Sequence, residues 1–265
     1  MSGPALAFLL SLLAGLSTGI GSLITLFTKR ANNNFLSVSL GFSAGVMVYV
    51  SLAELLRQSQ VLLAANLGNI TGELAAVLSF FAGILFAGVI DKILPNDTNP
   101  HEIVHYEAEK SPRANGKRLM RTGVITAIAI TIHNFPEGMT TFISVMYDPA
   151  VALPIVLAIA LHNIPEGISV SVPIYYATGD RKKALLYSFA SGLAEPLGAL
   201  AGYFVLMPFL SETLYGVLFA IVAGIMVFIS FDELLPAARE YGAHHLSIYG
   251  TIAGMMVMAA SLIIL

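Results

Sequence analysis

Eight long apolar stretches determine which folds are open to this chain. Each is about as long as an α-helix must be to cross the hydrocarbon core of a bilayer, roughly 20 residues. They lie at residues 5–27, 36–56, 73–92, 119–146, 150–176, 184–207, 213–235 and 246–265. Hydrophobic residues make up 57% of the chain and charged residues 11%, which excludes an ordinary soluble domain. The stretches are continuous rather than alternating, which disfavours a strand barrel. We therefore predict an all-α polytopic membrane protein, with one transmembrane domain over residues 1–265.

The positive charges indicate how the predicted helices are oriented. If the eight segments alternate in direction, all but one of the 13 Lys and Arg residues fall in loops on one side of the membrane, and the exception is Arg57. By the positive-inside rule that side is cytoplasmic, so the long polar loop 93–118 is cytoplasmic and both termini are not. No basic face outside these loops supports nucleic-acid binding. The absence of cysteine excludes disulfides and thiolate metal sites.

An internal repeat runs through the chain. Residues 44–56, AGVMVYVSLAELL, match residues 223–235, AGIMVFISFDELL, and so pair segment two with segment seven. Segment one pairs with six and segment three with eight more weakly, and segments four and five pair with each other. The paired segments run in opposite directions, which predicts an inverted 3+2+3 repeat around central helices four and five. Such repeats are typical of transporters with a site near the midplane. The alternative is that apolar helices resemble one another because their residue alphabet is small.

The central pair carries nearly the same hexapeptide twice, HNFPEG at 133–138 and HNIPEG at 162–167. Ionisable groups at the centre of a bilayer cost roughly 2.5 kcal/mol or more each, so they usually mark a site or a path. In each motif the His and the Glu are four residues apart and share one face of a helix. Pro136 and Pro165 predict a break or kink at the midplane. The alternative is that the histidines only form hydrogen bonds between helices.

The repeat brings the two motifs together as a nitrogen and oxygen ligand set suited to a divalent transition metal such as Zn²⁺, Fe²⁺ or Mn²⁺. The predicted ligands are His133, Asn134, Glu137, His162, Asn163 and Glu166. Glu195 of segment six, whose repeat partner is Thr18, adds a third carboxylate.

Other residues remain open between two interpretations. Met47 and its repeat partner Met226 are either soft ligands or packing residues. Glu54, Asp232 and Glu233 are either carboxylates at the entrance or exit of the path, or ordinary interface charges. His101 and His105 either bind metal weakly or belong to a solvated run.

The doubled HNxPEG motif on consecutive central helices resembles the ZIP (Zrt/Irt-like) divalent-metal transporters. The chain length and the segment GFSAGVMVYVSLAEL are most similar to the bacterial ZupT-type members. The resemblance implies a multi-pass protein of the bacterial inner membrane that imports Zn²⁺, with Fe²⁺, Mn²⁺, Co²⁺ and Cd²⁺ as further cargo. It also implies alternating access, an elevator-like movement of the central helices and a homodimer.

The resemblance further implies a binuclear site. One metal would take His133, Glu137, His162 and Glu166, with Met47 nearby. The other would take Asn134, Asn163 and Glu195 and share the two motif glutamates. Some members carry Gln-Asp where this chain has His162-Asn163, so the two half-sites here are nearly equivalent.

Two other function classes are open to buried His and Glu residues. An intramembrane metal-dependent hydrolase would use a bound metal to activate water. It explains neither the inverted repeat nor the duplicated ligands, and the chain has no H-E-x-x-H. A metal-sensing receptor would need a structured soluble domain, which the sequence lacks. We therefore expect a transporter rather than an enzyme.

Overall fold

We describe a computed structural model of the chain over residues 3–23, 27, 33–93, 112–147, 149–209, 211–241 and 244–264. In these residues one long helix, straight or with a local irregularity, occupies each predicted apolar stretch. The helices are α1 (Gly3–Ser22), α2 (Asn33–Val50 and Leu56–Leu67), α3 (Asn69–Ile93), α4 (Pro112–Tyr147), α5 (Pro149–Thr178), α6 (Arg181–Gly192 and Ala194–Ala201), α7 (Glu212–Ile229 and Leu235–Tyr241) and α8 (His244–Ile264).

The helices have the length and composition of membrane spans. Among the described residues, α1, α2, α3, α6, α7 and α8 are each long and apolar enough to cross a bilayer. Helices α4 and α5, which carry the polar hexapeptides, are 36 and 30 residues long. At a rise of about 1.5 Å per residue, both exceed the thickness of the hydrocarbon core. The chain is a polytopic helical membrane protein.

Most helix ends lie within a few residues of the predicted bounds, with larger differences in α2, α4 and α7, the last of which continues to Tyr241 instead of residue 235. Helix α2 continues to Leu67, well beyond residue 56. Helix α4 begins at Pro112, so residues 112–118 of the predicted loop 93–118 are helical. Proline is well suited to the first turn of a helix, where its missing N–H would have no partner. Residues 94–111, with His101 and His105, lie outside the described residues.

Helices α2 and α7 contain the same irregularity at matching positions of the repeat. Ser51–Leu55 in α2 and Ser230–Leu234 in α7 are both π-helical turns. In each, the first serine donates its hydroxyl to the carbonyl of a methionine four residues earlier, Ser51 to Met47 at 2.6 Å and Ser230 to Met226 at 2.7 Å. π-helical turns inside α-helices occur frequently at functional sites.

The packing of the helices follows the repeat as well. Helix α2 packs along α8, and its repeat partner α7 packs along α3. Helix α1 packs along α5, and its partner α6 packs along α4, while α4 and α5 pack against each other. Helices α3 and α8 expose most of their apolar side chains at the outside of the bundle. The central helices α4 and α5 are buried on the sides that face each other and the neighbouring helices, and each keeps exposed side chains such as Phe135 and Leu161.

Two glycines allow the central helices to approach their neighbours closely. A Cβ atom built at Gly138 of α4 would lie 1.8 Å from the carbonyl oxygen of Glu195. A Cβ atom built at Gly167 of α5 would lie 1.7 Å from the carbonyl oxygen of Thr18. Both distances are far below any possible contact, so only glycine fits. Each of these glycines directly follows the glutamate of its hexapeptide, and the contacts therefore set the depth of those glutamates.

No break occurs at Pro136 or Pro165, because α4 and α5 are helical through both prolines. The predicted break is wrong, and the predicted kink stays a prediction. The carbonyls that lose their helical N–H donor are those of Ile132 and Leu161, four residues before the prolines. One turn further on, Thr140 donates its hydroxyl to the carbonyl of Pro136 at 2.9 Å, and Ser169 donates to that of Glu166 at 2.6 Å.

The observed break lies in α6 instead, where Leu193 forms a turn between Gly192 and Ala194. Pro196 lacks the N–H that would bond the carbonyl of Gly192 four residues back, which explains the interruption. Glu195 lies immediately beside this break.

Candidate metal centre

The histidines and glutamates of the two hexapeptides meet at the contact between α4 and α5. His133 and Glu137 lie one turn apart on α4, and His162 and Glu166 lie one turn apart on α5. All four are at least 98% buried. Burying four ionisable groups is costly unless they pair with each other or bind an ion. Their enclosure between antiparallel helices therefore indicates a site rather than a surface feature.

The distances between these groups match those between the ligands of one metal ion. The Nε2 atom of His133 lies 3.6 Å from Glu137 Oε2 and 3.7 Å from Glu166 Oε1. Two ligands of a tetrahedral zinc ion, each bonded at 2.0 to 2.1 Å, are about 3.4 Å apart. One ligand atom each from His133, His162 and Glu166 lies within 4.8 Å of the others.

The two histidine rings face each other across the site, with their centroids 6.2 Å apart. The Nε2 atom of His162 also lies 2.9 Å from Glu137 Oε1. His133 thus lies close to a carboxylate of each helix, and His162 lies close to the carboxylate of α4. The cluster joins the two helices.

The two asparagines are oriented by backbone carbonyls of the neighbouring helices. Asn163 donates from Nδ2 to the carbonyl of Ala14 at 3.0 Å, and Asn134 donates from Nδ2 to the carbonyl of Ser191 at 3.4 Å. Their Oδ1 atoms are buried and have no hydrogen-bond partner among the described residues. Because an amide oxygen is a hard neutral ligand, both are available to a cation or to water bound to it.

Glu195 adds a third carboxylate from α6. It is fully buried, and its Oε2 atom accepts a hydrogen bond of 2.9 Å from Asn163 Nδ2. It interacts electrostatically with both motif glutamates, Glu137 and Glu166. Its other oxygen, Oε1, has no hydrogen-bond partner in the described part of the chain. Three buried carboxylates with so few donors are the charge that one or two dications would neutralise.

Met47 is fully buried on α2, a helix that packs against α5. Its sulfur atom lies 4.0 Å from the hydroxyl of Ser43. Its repeat partner Met226 is buried on α7. Both side chains pack in the main hydrophobic core. These contacts are those of packing residues, and ligation by Met47 stays a prediction.

A small cavity of about 30 Å³ lies beside the centre, and one of its lining residues, Asp91, was not predicted from the sequence. Glu233 of α7 and Asp91 of α3 line it, and Pro136 of the first hexapeptide lines it as well. Glu233 interacts electrostatically with Asp91, with Asp232 and with Glu166. The sequence signal for Asp91 was a carboxylate at the end of an otherwise apolar stretch.

Glu54, in the π-helical turn of α2, is half-buried and accepts a hydrogen bond from Gln58. No contact in the described residues connects it to the centre.

Comparison with known proteins gives the same assignment as the site. A family model described as ZIP zinc transporter matches residues 91–262, which include both hexapeptides and Glu195. A zinc transporter ZupT of Streptococcus mutans serotype c is 60% identical over 97% of each chain. Proteins of the same description from Oceanobacillus iheyensis and Clostridium perfringens are each 55% identical, over 100% of this chain and 100% and 97% of their own. The multi-pass fold, the doubled motif and these relatives show that this chain belongs to the ZIP zinc transporter family.

Proposed function

We propose that this protein imports divalent transition-metal cations into the cytoplasm, with Zn²⁺ as the principal cargo. One observation carries the proposal: two hexapeptides 29 residues apart in sequence converge on a single buried cluster of nitrogen and oxygen ligands. Zinc is bound by imidazole and carboxylate groups, and this set has no thiolate. Relatives that match almost end to end are named zinc transporters.

The repeat supports transport by alternating access. Close contacts recur at matched positions: a Cβ atom at Gly198 would lie 1.9 Å from the carbonyl of Phe135, and one at Gly21 would lie 1.8 Å from that of Ile164. These contacts pair α6 with α4 in the same way as α1 with α5. Two similar half-bundles of opposite direction can exchange conformations around one central site. We infer an inverted 3+2+3 repeat with both termini outside.

The cavity beside the centre is our proposed release path. Asp91 lies near the end of α3 that leads into the predicted cytoplasmic loop 93–118. Cations leaving the motif glutamates would meet Glu233, Asp232 and Asp91 in turn. A row of carboxylates attracts a dication, and its position near the aqueous face favours release. Glu54 is the repeat partner of Glu233, and the repeat places it on the opposite side of the membrane. We propose it as the corresponding carboxylate at the entrance.

A hydrogen-bonded polar cluster joins three helices at the opposite end of the bundle. Glu212 at the start of α7 accepts hydrogen bonds from Tyr147 of α4 at 2.8 Å and from Asn66 of α2 at 2.9 Å. Tyr147 also stacks on Tyr215, with ring centroids 5.1 Å apart. We therefore interpret the structure as the inward-facing conformation, with the outer side of α4 held against α2 and α7.

We further propose two metal positions in the centre. The imidazoles and the two motif glutamates form the first, and Asn134, Asn163 and Glu195 form the second with those glutamates as bridges. Because each of the two hexapeptides contributes an imidazole, we expect a preference for Zn²⁺ and Fe²⁺ over harder ions. Mn²⁺, Co²⁺ and Cd²⁺ are the further cargo we propose. The exposed apolar faces of α3 and α8 would contact lipid and a second copy in a homodimer. We find no observation that favours the hydrolase.

Zinc flux into proteoliposomes tests the proposal. The double variant Glu137→Gln, Glu166→Gln keeps the size of both side chains and removes two charges. We expect its flux to fall to background. Glu73→Gln, at an exposed residue of α3, is the matched control and should transport as the wild type does. Wild-type flux in a folded, inserted double variant would refute the proposal.

A further inference from the structure

Thr18 lies at a special place in the repeat, because its partner is the glutamate Glu195. The contact between Gly167 and the Thr18 carbonyl matches the contact between Gly138 and the Glu195 carbonyl, at 1.7 and 1.8 Å for a built Cβ atom. At Thr18 the backbone of α1 therefore packs against α5. At Glu195 the backbone of α6 packs against α4 in the same way. The two side chains consequently start from equivalent positions on opposite sides of the centre.

The hydrogen bonds of the asparagines extend this equivalence to the side chains. Asn163 contacts the Ala14 carbonyl of α1 and the Glu195 carboxylate of α6. Asn134 contacts the Ser191 carbonyl of α6, and Ser191 is the repeat partner of Ala14. The remaining member of the second pattern is Thr18, so the repeat predicts that its hydroxyl lies on the Asn134 side of the centre.

The hydroxyl of Thr18 is not engaged by its own helix. Half of the buried Ser and Thr residues in the described part of the chain donate to a carbonyl three or four residues back, as Thr140 does. The equivalent carbonyl for Thr18 is that of Ala14, which already accepts from Ser17 Oγ at 2.5 Å and from Asn163 Nδ2. A helical carbonyl also accepts the backbone N–H four residues on, so these donors exceed the two lone pairs of the oxygen and this acceptor is used up.

As a result, Thr18 Oγ1 is fully buried and has no hydrogen-bond partner among the residues that the structure describes. The same holds for Asn134 Oδ1. Two buried polar atoms of this kind on one side of a metal centre indicate a ligand that contacts both, since leaving each unpaired would cost about 1 to 3 kcal/mol.

A threonine hydroxyl ends two C–C bonds closer to the backbone than a glutamate carboxylate oxygen, a difference of about 2.5 Å. This is close to the width of one water molecule. We propose that Thr18 binds a water molecule that is coordinated to the cation on the Asn134 side of the centre. On the Asn163 side, Glu195 supplies a carboxylate instead. The ligand is a partly hydrated divalent transition-metal cation, and Thr18 tunes its affinity and selectivity. This inference rests on the proposed transport function.

The test compares variants that differ in the hydroxyl alone. Thr18→Val has the same shape without the hydroxyl, and Thr18→Ser keeps the hydroxyl. Equilibrium binding of Zn²⁺ to purified protein in detergent, in competition with a chromophoric chelator, is the readout. Loss of an outer-sphere partner typically weakens metal binding by 10- to 100-fold, so we expect about a tenfold loss in Thr18→Val and near wild-type affinity in Thr18→Ser. Thr251→Val, which removes a hydroxyl that bonds within α8, is the matched control and should bind normally.

A second readout reports the water directly. With Mn²⁺ as the probe, pulsed EPR in D₂O counts the exchangeable waters on the bound ion. We expect Thr18→Val to alter this count or its hyperfine coupling, an effect that a purely structural role would not produce. If Thr18→Val does not fold, Thr18→Ala replaces it.

Wild-type Zn²⁺ affinity and an unchanged Mn²⁺ water signal in the hydroxyl-free variant would overturn the role of Thr18. The same result in Glu137→Gln, Glu166→Gln would overturn the proposed metal centre itself, so the two failures are distinguishable.

Discussion

Replacing Gly138 with alanine is expected to damage the metal centre although it changes no ligand. The added Cβ atom would lie 1.8 Å from the Glu195 carbonyl oxygen, which belongs to the backbone of α6. An ordinary carbon–oxygen contact is about 3.5 Å, so α4 and α6 must separate locally by about 1.7 Å. Overpacking of this kind costs about 1 to 3 kcal/mol of stability. The glutamate next to Gly138 is Glu137, so the separation moves it relative to Glu195.

Metal sites tolerate changes of only about 0.2 Å in ligand distance. We therefore expect Gly138→Ala to bind Zn²⁺ at least tenfold more weakly and to unfold at a lower temperature. Competition with a chelator measures the first and thermal unfolding in detergent the second. Gly116→Ala is the control on the same helix, because its added Cβ atom would lie at an ordinary 3.6 Å from the Ala177 carbonyl. Equal zinc affinity in both variants would refute the reasoning.

Three further substitutions test separate parts of the account. Glu195→Gln should lower the number of zinc ions bound per chain, measured by elemental analysis after desalting, and unchanged stoichiometry would exclude a second position that needs this carboxylate. Tyr147→Phe removes the 2.8 Å hydrogen bond to Glu212 and should lower the free energy of unfolding, followed by denaturant titration; an unchanged value would show that the bond is dispensable. Glu233→Gln should slow zinc flux and leave equilibrium affinity nearly unchanged, and an equal loss of both would place Glu233 in the binding site instead.

The sequence predicted the spans and the convergence of the motif histidines and glutamates because both depend on local composition. Apolar length alone locates the eight helices. The i, i+4 spacing of His133 and Glu137 puts them on one face of a helix whatever the neighbours do. The repeat then brings in His162 and Glu166. These inferences need no knowledge of tertiary packing.

The features that the sequence did not predict depend on packing between helices. Pro136 and Pro165 suggested a break or a kink, but α4 and α5 are helical through both prolines, and the break lies at Leu193, close to Pro196. The π-helical turns of α2 and α7 depend on how each helix seats against the other. Asp91 reads as an ordinary helix-end charge until α7 brings Glu233 beside it.

The location of bound zinc tests the central claim most directly. Crystals grown with Zn²⁺ and measured at the zinc absorption edge give an anomalous peak at each bound ion. The account predicts a peak about 2.0 to 2.2 Å from the Nε2 atom of His133 and from a carboxylate oxygen of Glu166, between α4 and α5. A zinc ion held by one hexapeptide alone, or by residues outside α4, α5 and α6, would contradict it.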